Sequence, residues 1–117
     1  MQNNYIKYHL HTMLSNPITN IDSVNNYKHY IDRAKECGMK AIGFSEHGNC
    51  FEWLHKKEYC ETCKYQKDNN INNCNECNKY MQCQGKNKIK YIHGVEVYVT
   101  ENVDNKIRDN YHVILMA

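Results

Sequence analysis

Two imidazoles stand two residues apart in His9-Leu10-His11, and a carboxylate precedes a third in Glu46-His47. Glu96 lies inside the apolar run Gly94-Val95-Glu96-Val97-Tyr98-Val99, and His112 stands at the head of Tyr111-His112-Val113-Ile114-Leu115-Met116. In an extended chain residues i and i+2 share a face, so His9 and His11 can act on one object. A Glu flanked by two valines is costly to bury as an anion unless a cation or a set of donors meets it. Imidazole nitrogens with carboxylate oxygens form a donor set suited to zinc, manganese or iron. The residues alone leave two readings open: one metal centre, or separate core and edge histidines, each satisfied by hydrogen bonding.

A second chemistry is carried by sulfur. Five of the seven cysteines fall between Cys60 and Cys83. Cys60-x-x-Cys63 and Cys74-x-x-Cys77, separated by ten residues, have the spacing of a four-thiolate structural zinc site. Cys83 is a spare or substitute ligand, Cys37 is assigned to the core, and Cys50 has no assigned role. The surrounding stretch, about Glu61 to Asn87, has little besides Ile71 and Met81 to bury, so it must be disordered or stapled by an ion. Lys64, Lys67, Lys79, Lys86, Lys88 and Lys90, with Tyr65 and Tyr80, could meet nucleic acid by phosphate attraction and base stacking. A solvated surface loop is the plainer reading and the one preferred.

The elements that must position these groups follow from periodicity. Ile6–Leu10 alternates like a strand. Val24, Tyr27, Ile31, Ala34 and Cys37 recur at spacings of three and four, which predicts a helix capped at Asp22 or Ser23 and stopped by Gly38. Ala41–Ser45 reads as a buried strand, then come a turn at Gly48-Asn49 and a helix over Glu52–Tyr59. Tyr91–Val99 and Tyr111–Met116 read as further strands, joined by a charged loop over Glu101–Asn110. Alternating strands and helices predict a parallel α/β sheet. In such sheets the carboxyl ends of the strands converge on a common site. His9, His11, Glu46 and His47 fit that rule, whereas Glu96 and His112 fit it less tidily.

The chain has 117 residues, enough for one domain or part of one. With 41% hydrophobic and 24% charged residues it is neither collagen-like nor broadly disordered. A net charge of +2 is too even to argue nucleic-acid binding from the field alone. The longest apolar run, Val113–Ala117, is far short of the ~20 residues that cross a bilayer. From Met1–Tyr5, which has no apolar core, the chain is expected to carry no secretory signal, and the odd cysteine count leads to the expectation of a reducing, cytoplasmic setting. Because an apolar strand is the last element, the chain is expected to be part of a larger α/β domain.

Four motifs now stand in order: Tyr8-His9-Leu10-His11-Thr12, Phe44-Ser45-Glu46-His47-Gly48-Asn49, Gly94-Val95-Glu96-Val97-Tyr98-Val99 and Tyr111–Ala117. Together they resemble the successive motifs of the polymerase-and-histidinol-phosphatase (PHP) domain, most closely its version at the N-terminus of the bacterial or phage DNA polymerase III alpha subunit. The resemblance covers roughly residues 5–60 and 88–117. It implies a partial PHP-type barrel, part of a distorted seven-stranded (β/α)7 fold, over residues 1–117, with a Cys-rich zinc-binding insertion at about 60–87. It implies divalent metals (zinc, manganese or iron) that hydrolyse phosphoesters, with His9, His11, His47, Glu96 and His112 as ligands and Glu96 able to bridge two ions. It gives Glu96, His47 and Glu46 catalytic parts, Glu46 standing where the family usually has Asp and orienting an imidazole. The usual further ligand after His-x-His is missing from Ser15–Thr19. DNA and the rest of a polymerase chain or replisome are the implied partners, within a DNA-directed DNA polymerase. A stand-alone PHP phosphatase and a non-catalytic, zinc-stapled nucleic-acid-binding module are the alternatives.

Overall fold

The computed structural model describes residues 5–19, 22–83, 85, 87–101 and 111–117, with Ile18, Thr19, Tyr80 and Met81 described by their backbone only. In chain order the elements are α1 (Asn16–Thr19), α2 (Tyr27–Glu36), β1 (Ala41–His47), α3 (Trp53–Glu61), α4 (Lys64–Asp68), α5 (Tyr80–Cys83), β2 (Lys90–Val99) and β3 (Tyr111–Met116). Short 3-10 turns at Met13–Ser15 and Cys74–Glu76 precede α1 and α5. The expected mixture of helices and strands is present, as a three-stranded sheet in the order β1-β2-β3. The described residues do not close it into a barrel.

Helix α2 starts later than its periodicity suggests. The Asn16 amide takes hold of the chain before it: Asn16 Oδ1 accepts from Asp22 N (2.8 Å) and Ser23 N (3.0 Å), and Nδ2 donates to Ser23 O (2.9 Å). With those amides already used, capping falls to Asn26, whose side chain accepts from Lys28 N. Val24 is left 83% exposed, so it does not belong to the apolar face. Tyr27, Ile31 and Ala34 do, and Gly38 ends the helix at φ +68°. Their face packs with Ile42, Phe44, Cys60, Ile89 and Tyr91 to make the core between the helices and one side of the sheet.

The sheet is mixed, against the all-parallel expectation. β1 and β2 run parallel, with His47 beside Glu96, whereas β2 and β3 are antiparallel, with Tyr98 beside His112. A parallel partner needs a crossover, usually a helix. The chain places helices between β1 and β2, whereas β2 and β3 are separated by the 11 residues 100–110, fewer than the dozen or more a parallel crossover takes. Strand β3 forms the sheet edge, with Tyr111, Val113, Leu115 and Met116 exposed, and its outer side has no strand partner among the described residues. The loop predicted over Glu101–Asn110 lies, after Glu101, outside the described residues.

The N-terminal segment is a strap instead of a regular strand. It makes one parallel bridge, Lys7 to Ile42, and its Lys7 and Leu10 carbonyls accept from Gly43 N (2.7 Å) and Ser45 N (3.0 Å). The strap passes so close to β1 that a Cβ at Gly43 would stand 2.9 Å from Tyr8 Cα and 3.1 Å from Tyr8 O. Both are backbone atoms, which cannot swing aside. Gly43→Ala is therefore expected to destabilise the chain by about 1–3 kcal/mol in urea denaturation. It should also speed hydrogen exchange at the Ser45 amide, and unchanged exchange there would show that the strap yields without cost.

Candidate metal centre

Each element delivers one part of a shallow bowl at the carboxyl ends of β1 and β2. The strap brings His9 and His11, the end of β1 brings His47, and β2 brings Glu96 as its lateral neighbour. Gly48 N, in the turn after β1, donates to Glu96 O at 2.8 Å and ties the two strand ends together. Because β3 runs antiparallel, its first residues lie at that same edge. This removes the difficulty with His112, which stands at the beginning of its strand and still reaches the site.

Glu96 is the floor of the bowl, 3% exposed. Its Oε2 lies 2.6 Å from His11 Nε2, 3.3 Å from His9 Nε2 and 3.5 Å from His47 Nδ1, and its Oε1 lies 2.9 Å from His112 Nδ1. Burial pushes the carboxyl upward, but the His9 hydrogen bond and the positive potential of His47 and His11 outweigh it and hold the pKa below the ordinary carboxylate value. The His9 and His112 side chains form the open rim at 45% and 51% exposure. Tyr98 stacks on His47, ring centroids 6.0 Å apart, with its hydroxyl 3.2 Å from His47 Nδ1.

A sixth group enters that the motifs did not mark. Asp22 Oδ2 is 2.8 Å from His11 Nδ1, and Oδ1 is 3.7 Å from His47 Nε2. The Asn16 amide that delays α2 is what holds it there. Asp22 is also the sole acidic residue between His11 and α2, a signal that reading it as a helix cap concealed.

The donor set fits divalent metal. His9 Nε2 and His11 Nε2 stand 3.1 Å apart beside a carboxylate oxygen, an arrangement in which nitrogen lone pairs and anionic oxygen point at one small space. Among the described residues two trios of ligand atoms lie within 4.8 Å of one another: His9, His11 and Glu96, and His11, Asp22 and His47. His11 belongs to both through different nitrogens, Nε2 toward Glu96 and Nδ1 toward Asp22. It can ligate on one side while a carboxylate fixes its tautomer on the other, the arrangement in which a second carboxylate orients a metal-bound imidazole.

Glu46 does not take the part expected of it. Its carboxylate meets no imidazole and turns to the strap, accepting from Thr12 N (2.9 Å), Thr12 Oγ1 (2.6 Å) and Ser15 Oγ, and from Lys56 Nζ of α3 at 2.9 Å. Ser15 Oγ in turn accepts from His47 N at 3.1 Å. Burial raises the Glu46 pKa, but the Ser15, Thr12 and Lys56 hydrogen bonds prevail and keep it below the usual range. Glu46 is thus a buried anchor that fixes the strap, and with it His9 and His11, on β1. Nothing in the sequence marked Thr12, Ser15 or Lys56 for this.

The cysteines separate differently from their spacing. Cys60 is fully buried in the core cluster, and burial pushes its thiol up to about 12. Cys63, Cys74 and Cys77 come together without it, in the company of Cys83. A cavity of about 700 Å³ lies on another face between α2 and α4 and is lined by none of the bowl residues; Lys28, Lys35, Lys64 and Lys67 line it together with Asp32 and Glu58.

Four histidines and two carboxylates gathered at one edge of an α/β sheet make a donor set that could hold divalent metal. The family model of the PHP domain matches residues 7–117, nearly the whole chain, and the chain belongs to that family. It carries, accordingly, a metal-dependent phosphoesterase-type domain. No curated protein and no solved structure matches it.

The anchor makes its own prediction. Lys56 and Glu46 are 2% and 1% exposed, and removing one partner of such a buried pair strands the other charge. Lys56→Met should cost about 3–5 kcal/mol in urea denaturation, and adding Glu46→Gln should recover part of the loss. A double variant no more stable than Lys56→Met would deny the pairing.

Proposed function

We propose that this chain hydrolyses a phosphoester with divalent cations held by His9, His11, His47, Glu96 and His112, with Asp22 behind His11. The observation that supports this best is the convergence of four imidazoles on both oxygens of one buried, ionised Glu96. When bound, the metal supplies positive charge to a phosphoryl group and lowers the pKa of water. The chain's own residues prepare for it. Glu96 keeps its negative charge at the floor, Asp22 orients His11, and the exposed rim at His9 and His112 leaves room for substrate from solvent. Zinc, manganese and iron all suit these donors. No described helix is long and apolar enough to cross a membrane.

The larger setting rests on motif order. Gly94-Val95-Glu96-Val97-Tyr98-Val99, taken with the His-x-His and Glu46-His47 motifs, favours the PHP portion of a DNA polymerase III alpha subunit, in which this unit removes or proofreads nucleotides or braces the polymerase. On that reading the partners are DNA and the remaining polymerase, the compartment is the cytoplasm, and residues of about 60–87 form an insertion in the domain. The three described strands are then the portion of a seven-stranded barrel that carries the first ligands.

Manganese tests the site, because it prefers nitrogen and oxygen donors over thiolate and so reports the bowl alone. Glu96→Gln should fold, by far-UV circular dichroism, and lose manganese binding in titrations followed by electron paramagnetic resonance. Asp22→Asn should weaken binding about 10–100-fold, the usual effect of removing a group that orients a ligand. Any hydrolysis of bis-p-nitrophenyl phosphate by the native chain should fall with manganese occupancy. Full manganese affinity in Glu96→Gln would make Glu96 a structural carboxylate and end the proposal.

A further inference from the structure

The segment between α3 and β2 has its two ends joined and almost nothing inside. Ile89 N donates to Cys60 O (3.0 Å), and Tyr91 N donates to the Glu61 carboxylate (3.3 Å). Between those ties Cys63 and Gln66 alone are buried among the described side chains. Four cysteines, Cys63, Cys74, Cys77 and Cys83, surround a cavity of about 10 Å³, room for one water-sized body. All four are free thiols. Short turns present them: Cys77 N donates to Cys74 O (3.0 Å), and Cys83 N donates to Lys79 O (3.1 Å).

Gln66 supplies an independent sign. It lines the same cavity at 4% exposure, donates from Nε2 to Cys74 Sγ at 3.5 Å, and has no partner for its Oε1 among the described residues. A buried amide that spends its donor on sulfur suits a sulfur that carries negative charge. We propose that Cys63, Cys74, Cys77 and Cys83 hold one zinc ion, with Gln66 donating to the Cys74 thiolate and Cys60 outside the site.

Chemistry separates this site from the bowl. Four thiolates are soft ligands that fill a tetrahedral zinc and leave no position for water, so the role is to hold structure together. Each thiol gives up its proton on binding, and the ion with four thiolates carries a net charge of −2. Lys88, at the cavity wall, is a cation placed beside that charge. A tetrahedral site with zinc–sulfur bonds of ~2.3 Å needs its sulfurs about 3.8 Å apart. No three of the cysteine sulfurs among the described residues lie within 4.8 Å of one another, so binding draws the ring inward and orders the segment. This inference does not depend on the phosphoesterase reading.

Cobalt(II) is the probe, because thiolate ligands give it charge-transfer and intense tetrahedral bands that nitrogen and oxygen ligands do not. The reduced native chain should take up one equivalent with those bands, and zinc should abolish them. Cys83→Ser should weaken the bands and lower affinity at least about tenfold, whereas Cys60→Ala should leave both within about twofold. Alkylation of the native chain covers the case of a variant that fails to fold: Cys63, Cys74, Cys77 and Cys83 should lose protection when zinc is chelated. The proposal is overturned by absent thiolate bands, by an unchanged Cys83→Ser, or by chelation exposing Cys60 in place of Cys83.

Discussion

The arrangement depends on one buried carboxylate that touches no substrate position. Glu46 gathers Thr12 and Ser15 from the strap and Lys56 from α3, and its neighbour His47 hangs from the same Ser15 hydroxyl. Strap, β1 and α3 thus meet on one side chain in a place that water does not reach. An unpaired anion there would be intolerable, so the four donors are a condition of folding as well as its result. The geometry of His9 and His11 inherits that rigidity, since a flexible strap beside β1 could not keep two ring nitrogens within reach of Glu96.

Two carboxylates one strand apart are therefore used in opposite ways. Glu46 is satisfied by hydroxyl, amide and ammonium donors and has no free capacity. Glu96 is met by imidazoles, which can exchange a proton for a cation at the same atom. The difference lies in the partners, since both are nearly fully buried. Closed satisfaction makes an anchor, and exchangeable satisfaction makes a binding floor.

Much of this was legible from residue types and short-range periodicity. The Tyr27, Ile31 and Ala34 face, the Gly38 stop, strands β1 and β2 and the groups at His9, His11, His47 and Glu96 are local patterns with local causes. What stayed hidden was decided over distance. The direction of β3 is settled by its pairing with β2 and not by any pattern within the strand, and it is what carries His112 to the site. Asp22 looked like a cap because nothing in its neighbourhood shows that Asn16 will seize that turn. Cys60 fits a Cys-x-x-Cys pair by spacing, yet it lies four residues after Lys56 on one face of α3, and that face is buried. The helix phase overrides the motif. Cys83, outside both pairs, becomes available because the turn before it brings it back.

The outer margin of β3 has a consequence of another kind. The backbone amides and carbonyls on the outer side of β3, beside Val113, Leu115 and Met116, have no strand partner among the described residues and are a template for an extended chain that meets them. Two copies joining along that margin would lengthen a single ladder and cover part of the exposed apolar side chains, with no histidine or cysteine taking part. Self-association along that margin would depend on protein concentration and not on the ions that fill the other sites.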